Sequence, residues 1–309
     1  MTFNDDVPIN ADRVSVGGGG GGRRGGKYVL GGGAGGLIVL VLALLLGGDP
    51  GSLLGATDGS YDAGTSAVGG SGLENCEFGV DANRDVGCRV AGTAESLDAV
   101  WGAQLPTQTG LRYEAPKVRL FSGAIDTGCG YATSDVGPFY CPADSTAYFD
   151  TSFFQLLVDR YGANAGPLAQ EYVVAHEFGH HIQNQLGDIG RAQQDPRGAA
   201  SLAMRTELQA DCYAGLWAHY ASNQPGPDSS RPFLEPLTDA DVRDALSAAS
   251  AVGDDRIQRS AGARVNPEGW THGSSEQRQK WFAAGLDSGK VAACDTYAAR
   301  DLNSPPALR

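Results

Sequence analysis

The chain has 309 residues, enough for one large domain or two small ones, with a net charge of −13. That acidic balance argues against nucleic acid as a partner, because phosphate binding needs clustered Lys and Arg. The hydrophobic content of 41% is low for a globular chain, and 45 glycines account for part of the deficit.

Met1 to Val16 is polar and turn-rich, and Gly17 to Gly26 is a glycine tract broken only by Arg23 and Arg24. Its trivial matches to G-x-G-x-x-G come after no strand, so it reads as flexible chain and not as a nucleotide loop. Residues 1–27 are expected to be a cytoplasmic Gly-rich tail. Tyr28 to Leu46 comes next, and as a helix it would span about 28 Å, close to a bilayer core. Arg23, Arg24 and Lys27 precede this stretch and few basic residues lie after it. The positive-inside rule then leaves the N-terminus in the cytoplasm and everything after Gly47 outside. Residues 28–46 are thus expected to be a single-pass signal anchor in the cell membrane. A cleaved signal peptide and a twin-arginine signal are the competing readings, and both also export the rest of the chain. Residues 47–72 are Gly/Ser/Asp-rich and read as a flexible linker, which leaves 73–309 as the folded domain.

Six cysteines fit disulfides in an oxidising compartment. Cys76 and Cys88, and likewise Cys129 and Cys141, are spaced for short local loops, which leaves Cys212 and Cys294. Spacing alone does not fix the connectivity. Thr93 is a plausible N-cap for a helix reaching Gln104. Lys117 to Phe121 alternates as a strand does, Tyr131 to Cys141 is turn-rich, and Thr146 to Asp150 reads as a second strand. Ala147-Tyr148-Phe149 reads first as a packed strand, with an edge that pairs with an extended substrate as the competing role. Thr151 or Ser152 caps a short helix through Tyr161.

Pro167 opens and Gly187 closes the next helix. It carries Glu171-Tyr-Val-Val-Ala-His-Glu-Phe-Gly-His-His-Ile-Gln183, an H-E-x-x-H motif in an apolar, helix-compatible setting. Positions i and i+4 are offset by roughly 40° and one turn. His176 and His180 therefore point the same way and can both donate to one Zn²⁺. Glu177 sits beside them, placed to take a proton from a water activated by that ion. A catalytic zinc wants three protein ligands and one open position. The next helix, opened by Asp195-Pro196 and ending near Ser222, carries Thr206-Glu207-Leu-Gln-Ala-Asp211. Glu207 can supply a carboxylate oxygen, and Asp211, one turn on, can accept the outer N–H of a ligand histidine. Asn223 to Pro236 is a loop, Thr238 starts a helix reaching Ala251, and Ser274 or Ser275 starts a last helix through Leu286. Helices dominate an α+β fold.

The stretches around His176 and Glu207, Gly137-Pro-Phe-Tyr-Cys-Pro142 and Thr271-His-Gly-Ser-Ser-Glu-Gln-Arg278 together resemble the Putative neutral zinc metallopeptidase family. The similarity covers Asp58 to Ala299. It implies a zincin-like domain outside the cytoplasm behind one membrane span, one Zn²⁺ per chain held by His176, His180 and Glu207, and Glu177 as base. It implies no particular substrate beyond a peptide or protein.

His181 points about 140° away from His176 and reads as a packing or hydrogen-bonding residue. His272 lies between helices, where a loop can fold over the metal and donate to an oxyanion; capping the last helix is the competing role. Arg278 can pair with a carboxylate, and Tyr140 and Tyr213 are other candidate donors. Two further functions compete with a peptidase: a membrane-tethered, non-catalytic zinc module that binds envelope proteins or peptidoglycan peptides, and a cell-wall amidase or endopeptidase. A closed four-ligand site would favour the binding module, and an open fourth position facing Glu177 would favour hydrolysis.

Overall fold

A computed structural model describes residues 2–18, 73–226 and 230–308. The expected membrane helix Tyr28–Leu46, the linker 47–72 and most of the glycine tract lie outside the described residues. Among the described residues, no helix is long and apolar enough to cross a membrane.

In chain order, strand β1 (Val14–Gly18) precedes helices α1 (Gly79–Ala82) and α2 (Val86–Thr109). Strands β2 (Lys117–Ser122), β3 (Ala124–Thr127), β4 (Gly130–Thr133), β5 (Phe139–Cys141) and β6 (Thr146–Asp150) come after them. Then come α3 (Ser152–Asp159), α4 (Pro167–Leu186), α5 (Leu202–Ala221), α6 (Asp239–Ala251), α7 (Asp254–Ser260) and α8 (Ser275–Ser288). The main sheet runs β1-β2-β6-β5, with β1, β2 and β6 parallel and β5 antiparallel to β6. A separate hairpin pairs β3 with β4. The architecture is α+β with helices dominant.

Helix α4 is buried along most of its length, from Leu168 to Gln183, which makes it the central element. Pro167 at its first turn and Gly187 at its C-cap, with φ 81°, set both ends. Helix α5 lies against it at a point of near backbone contact. A Cβ on Gly179 would stand 2.9 Å from both the Cα and the carbonyl oxygen of Ala210, so only glycine admits this approach. Helix α8 also packs on α5, with Gly215 and Gly285 at the contact, and the Cys212–Cys294 disulfide ties α5 to the C-terminal segment. The other disulfides are Cys76–Cys88 and Cys129–Cys141, so the two local loops and the leftover pair are the ones that form.

Several boundaries differ from the sequence expectation. Helix α2 starts at Val86 and not near Thr93, because the Asp85 carboxylate accepts the Cys88 N–H (2.9 Å). Glycines at 87 and 92 obscure this start, and a Cβ on Gly92 would stand 2.7 Å from the Phe3 ring. Helix α5 starts at Leu202, capped by Ser201, and Asp195 reaches its first turn from outside by accepting the Leu202 N–H. The turn-rich stretch 131–141 contains β5 and most of β4. The polar N-terminal stretch contributes Phe3, Val7, Ile9 and Val14 to the core. Against the expectation of no strand ahead of the glycine tract, it ends in β1, whose ladder comes from pairing with the distant β2 and not from an apolar run of its own.

Candidate metal centre

Three side chains from two helices converge. His176 and His180 project from one face of α4, and Glu207 meets them from the first half of α5, one turn before the Gly179–Ala210 contact. One ligand atom from each lies within 4.8 Å of the others. The outer nitrogens are held from behind. His176 Nδ1–H donates to Asp211 Oδ1 (2.9 Å) and His180 Nδ1–H donates to Gln183 Oε1 (2.8 Å). Gln183 is itself fixed, its amide donating to Thr206 O and Gln209 Oε1 on α5.

Because both acceptors claim Nδ1–H, both Nε2 lone pairs face inward. They meet Glu207 oxygens at 3.2 Å from His176 and 3.6 Å from His180. Lone pairs set against a carboxylate at that range repel unless a positive charge stands among them. Two imidazoles and a carboxylate suit zinc, so the residues fit the ion. In its absence a proton takes that role. Burial opposes a charge on His176, but Asp211 and Glu207 outweigh it and raise its pKa to about 9. Burial likewise opposes the charge on Glu207, and His180 with its neighbours holds its carboxyl well below the usual range.

The chain matches the model of the family described as Putative neutral zinc metallopeptidase over residues 4–297. It belongs to that family. The match reaches further toward the N-terminus than the motifs do. An uncharacterized protein of Mycobacterium tuberculosis is 56% identical over 259 residues, covering 84% of this chain and 86% of the relative. The uncharacterized protein YpfJ of Escherichia coli is 42% identical over 207 residues, covering 65% and 68%. No solved structure matches.

In this zinc-metallopeptidase family member, Asp211 is the hub behind the cluster. Its two oxygens accept Arg278 Nε and Nη2 (both 2.9 Å), a bidentate pair, and its Oδ1 also accepts the Tyr172 hydroxyl. Burial works against the Asp211 charge, yet Arg278 and His176 hold its carboxyl below the ordinary range. Arg278 is thus the carboxylate partner that the sequence suggests. Gln183 and Tyr172 are not legible as site residues, although Gln183 stands close behind His180 on the same helix.

Glu177 and His272 line the same cleft as the three converging residues, a space of about 770 Å³ including its open mouth. Burial pushes the Glu177 carboxyl up. The His272 ring is held through Nδ1, near Thr271 Oγ1 (2.8 Å) and Asp254 Oδ1 (3.3 Å), and Asp254 also accepts the backbone N–H groups of Thr271, His272 and Gly273. This anchoring leaves Nε2 as the atom for a ligand. The His272 side chain lines the cleft, whereas the last helix is capped by Ser274. Tyr140 and Tyr213 are placed elsewhere. Tyr140 bonds His181 and Asn184, and Tyr213 packs edge-on against Trp101. His181 is a packing residue whose Nε2 meets Glu114 O. The edge strand is also corrected: Ala147, Tyr148 and Phe149 lie in β6, inside the sheet, while β5 forms the edge and sends Phe139 to the cleft.

Proposed function

We propose that this chain is a zinc-dependent peptidase acting outside the cytoplasm, with His176, His180 and Glu207 holding one Zn²⁺ and Glu177 acting as general base. The observation that carries the reading is the inward convergence of three donors on an open cleft wall beside Glu177. Among the described residues the cluster has no fourth His, Cys, Asp or Glu, which favours hydrolysis over a closed, structural zinc site. The three disulfides support an oxidising compartment.

When bound there, zinc supplies a Lewis acid that makes water acidic near pH 7 and polarises a carbonyl. The Glu177 carboxylate accepts the proton of the attacking water and passes it to the leaving nitrogen. Burial opposes a charge on His272, but Glu207 and Asp254 raise its pKa. As an imidazolium held at Nδ1 by Asp254, it donates from Nε2 to the carbonyl oxygen as charge builds there. The free edge of β5 offers backbone groups to an extended peptide, which supports a zincin-like reading of the fold. The apolar walls, Phe153, Val173, Val252 and Ile257 among them, favour an apolar side chain beside the cleaved bond.

The test is Glu177→Ala with zinc content and peptide-library digestion measured together. Retained zinc with abolished cleavage is the expected result. Undiminished hydrolysis by the variant would rule out the mechanism, and a zinc-loaded wild type that binds peptides without cutting them would favour the binding module.

A further inference from the structure

The N-terminal segment sits in a groove fitted to it. Phe3 and Val7 are each 1% exposed, and Ile9 and Val14 are also buried. The groove grips backbone as well as side chains. The Asn83 amide accepts from Phe3 N (2.8 Å) and donates to Phe3 O (3.0 Å). Val7 O accepts from Gly79 N (2.8 Å), and Ile9 N donates to Glu77 O (2.9 Å). Further along, Arg13 pairs with Asp98 (2.6 Å) on α2, and β1 extends the main sheet through five register pairs from Val14↔Val118 to Gly18↔Ser122. The floor is cut to match: a Cβ on Gly79 would stand 2.1 Å from Asn4 O.

Two more facts bear on where this docking happens. The loop that holds Val7 and Ile9 is the one closed by Cys76–Cys88, so the groove is completed where disulfides form. The family match begins at residue 4, inside the docked segment.

We infer that residues 2–18 are a built-in strand and strap of the domain and share its compartment. A single crossing between residues 18 and 73 would put the segment on the opposite side of the membrane from its groove. The connection therefore crosses an even number of times, zero included. This departs from the topology expected from the basic residues ahead of Tyr28, in which 1–27 stays cytoplasmic.

The test uses the full chain in its own cells. Ser15 and Arg119 are register partners on adjacent parallel strands, about 4.8 Å apart, within the reach of a disulfide. The S15C/R119C pair is expected to cross-link without added oxidant, read by mass mapping of the isolated protein. Asp6 is exposed, and the D6C single variant, whose labelling does not depend on the docking, is expected to react with a membrane-impermeant maleimide in sealed spheroplasts. Labelling of D6C only after lysis, while A263C at an exposed position of the domain labels from outside, would overturn the inference; protection of both would instead count against a domain outside the cytoplasm. Labelling of D6C from outside without the 15–119 cross-link would also overturn the inference, since the segment would then share the compartment but not the groove.

Discussion

Replacing Asp211 by Asn keeps the shape of the side chain and removes its charge. Arg278 is 3% exposed and loses the anion that both of its donors grip. Asn offers it one neutral oxygen and turns an NH2 donor toward it where the second oxygen stood, with the Tyr172 hydroxyl and Val252 O as its other acceptors. Breaking one side of such a buried pair costs about 3–5 kcal/mol, because the other charge is left uncompensated. At roughly 2–4 °C per kcal/mol for a domain of this size, Tm should fall by roughly 6–20 °C in the presence of chelator. His176 simultaneously loses the charged acceptor that fixes its proton on Nδ1, and competes with Tyr172 and Arg278 for the one oxygen left, so zinc affinity should drop about 10–100-fold. Calorimetric melting and competition with a chromophoric chelator read the two effects separately. The double variant D211N/R278M should recover much of the stability but none of the zinc affinity. If D211N melts within about 2 °C of wild type and binds zinc as tightly, the network behind His176 does not do what its geometry says.

Burial pushes the Glu171 carboxyl up to about 7, and neither of its oxygens has a hydrogen-bond partner among the described residues. An acid with a raised folded pKa contributes stability that is fully present below its unfolded value near 4.5 and is lost as pH rises through about 7. E171Q should therefore be more stable than wild type at pH 8, by up to about 3 kcal/mol, and the gain should vanish near pH 4.5 in paired urea melts. Removing the Cys212–Cys294 bridge as C212S/C294S opens a long loop, with its ends 82 positions apart. That should cost about 4 kcal/mol, measured by denaturant unfolding against wild type. H272A should keep zinc and lose roughly 10²–10³ in kcat with little change in KM, and an unchanged kcat would remove His272 from the reaction.

What could be read from the sequence was local. Pro167, the histidine spacing and Gly187 lie within one helix, so its bounds and the shared face of His176 and His180 come directly from helical geometry. The same holds for Thr238 with Asp241 and Ser274 with Gln277, each a capping box of neighbouring residues. What was missed depends on distant partners. Gly92 weakens the apolar pattern of α2 because Phe3, far back in the chain, needs the space. Phe3, Val7 and Ile9 are isolated among polar residues and show no period, since they are buried by a groove and not by a helix or strand of their own. Strand β5 has only Phe139 to Cys141, too short to show alternation, and Gln183 acquires its role only once α5 is beside it.

The motif H-E-x-x-H leaves its two middle positions free. At position 179 this chain does not, since any side chain there would be wedged between two backbones. Alanine would keep the consensus intact and every donor in sequence, yet it would lever Glu207 away from the imidazoles across from it. A search pattern that counts only the named letters would still score such a protein as a metalloenzyme after its third arm had been pried loose.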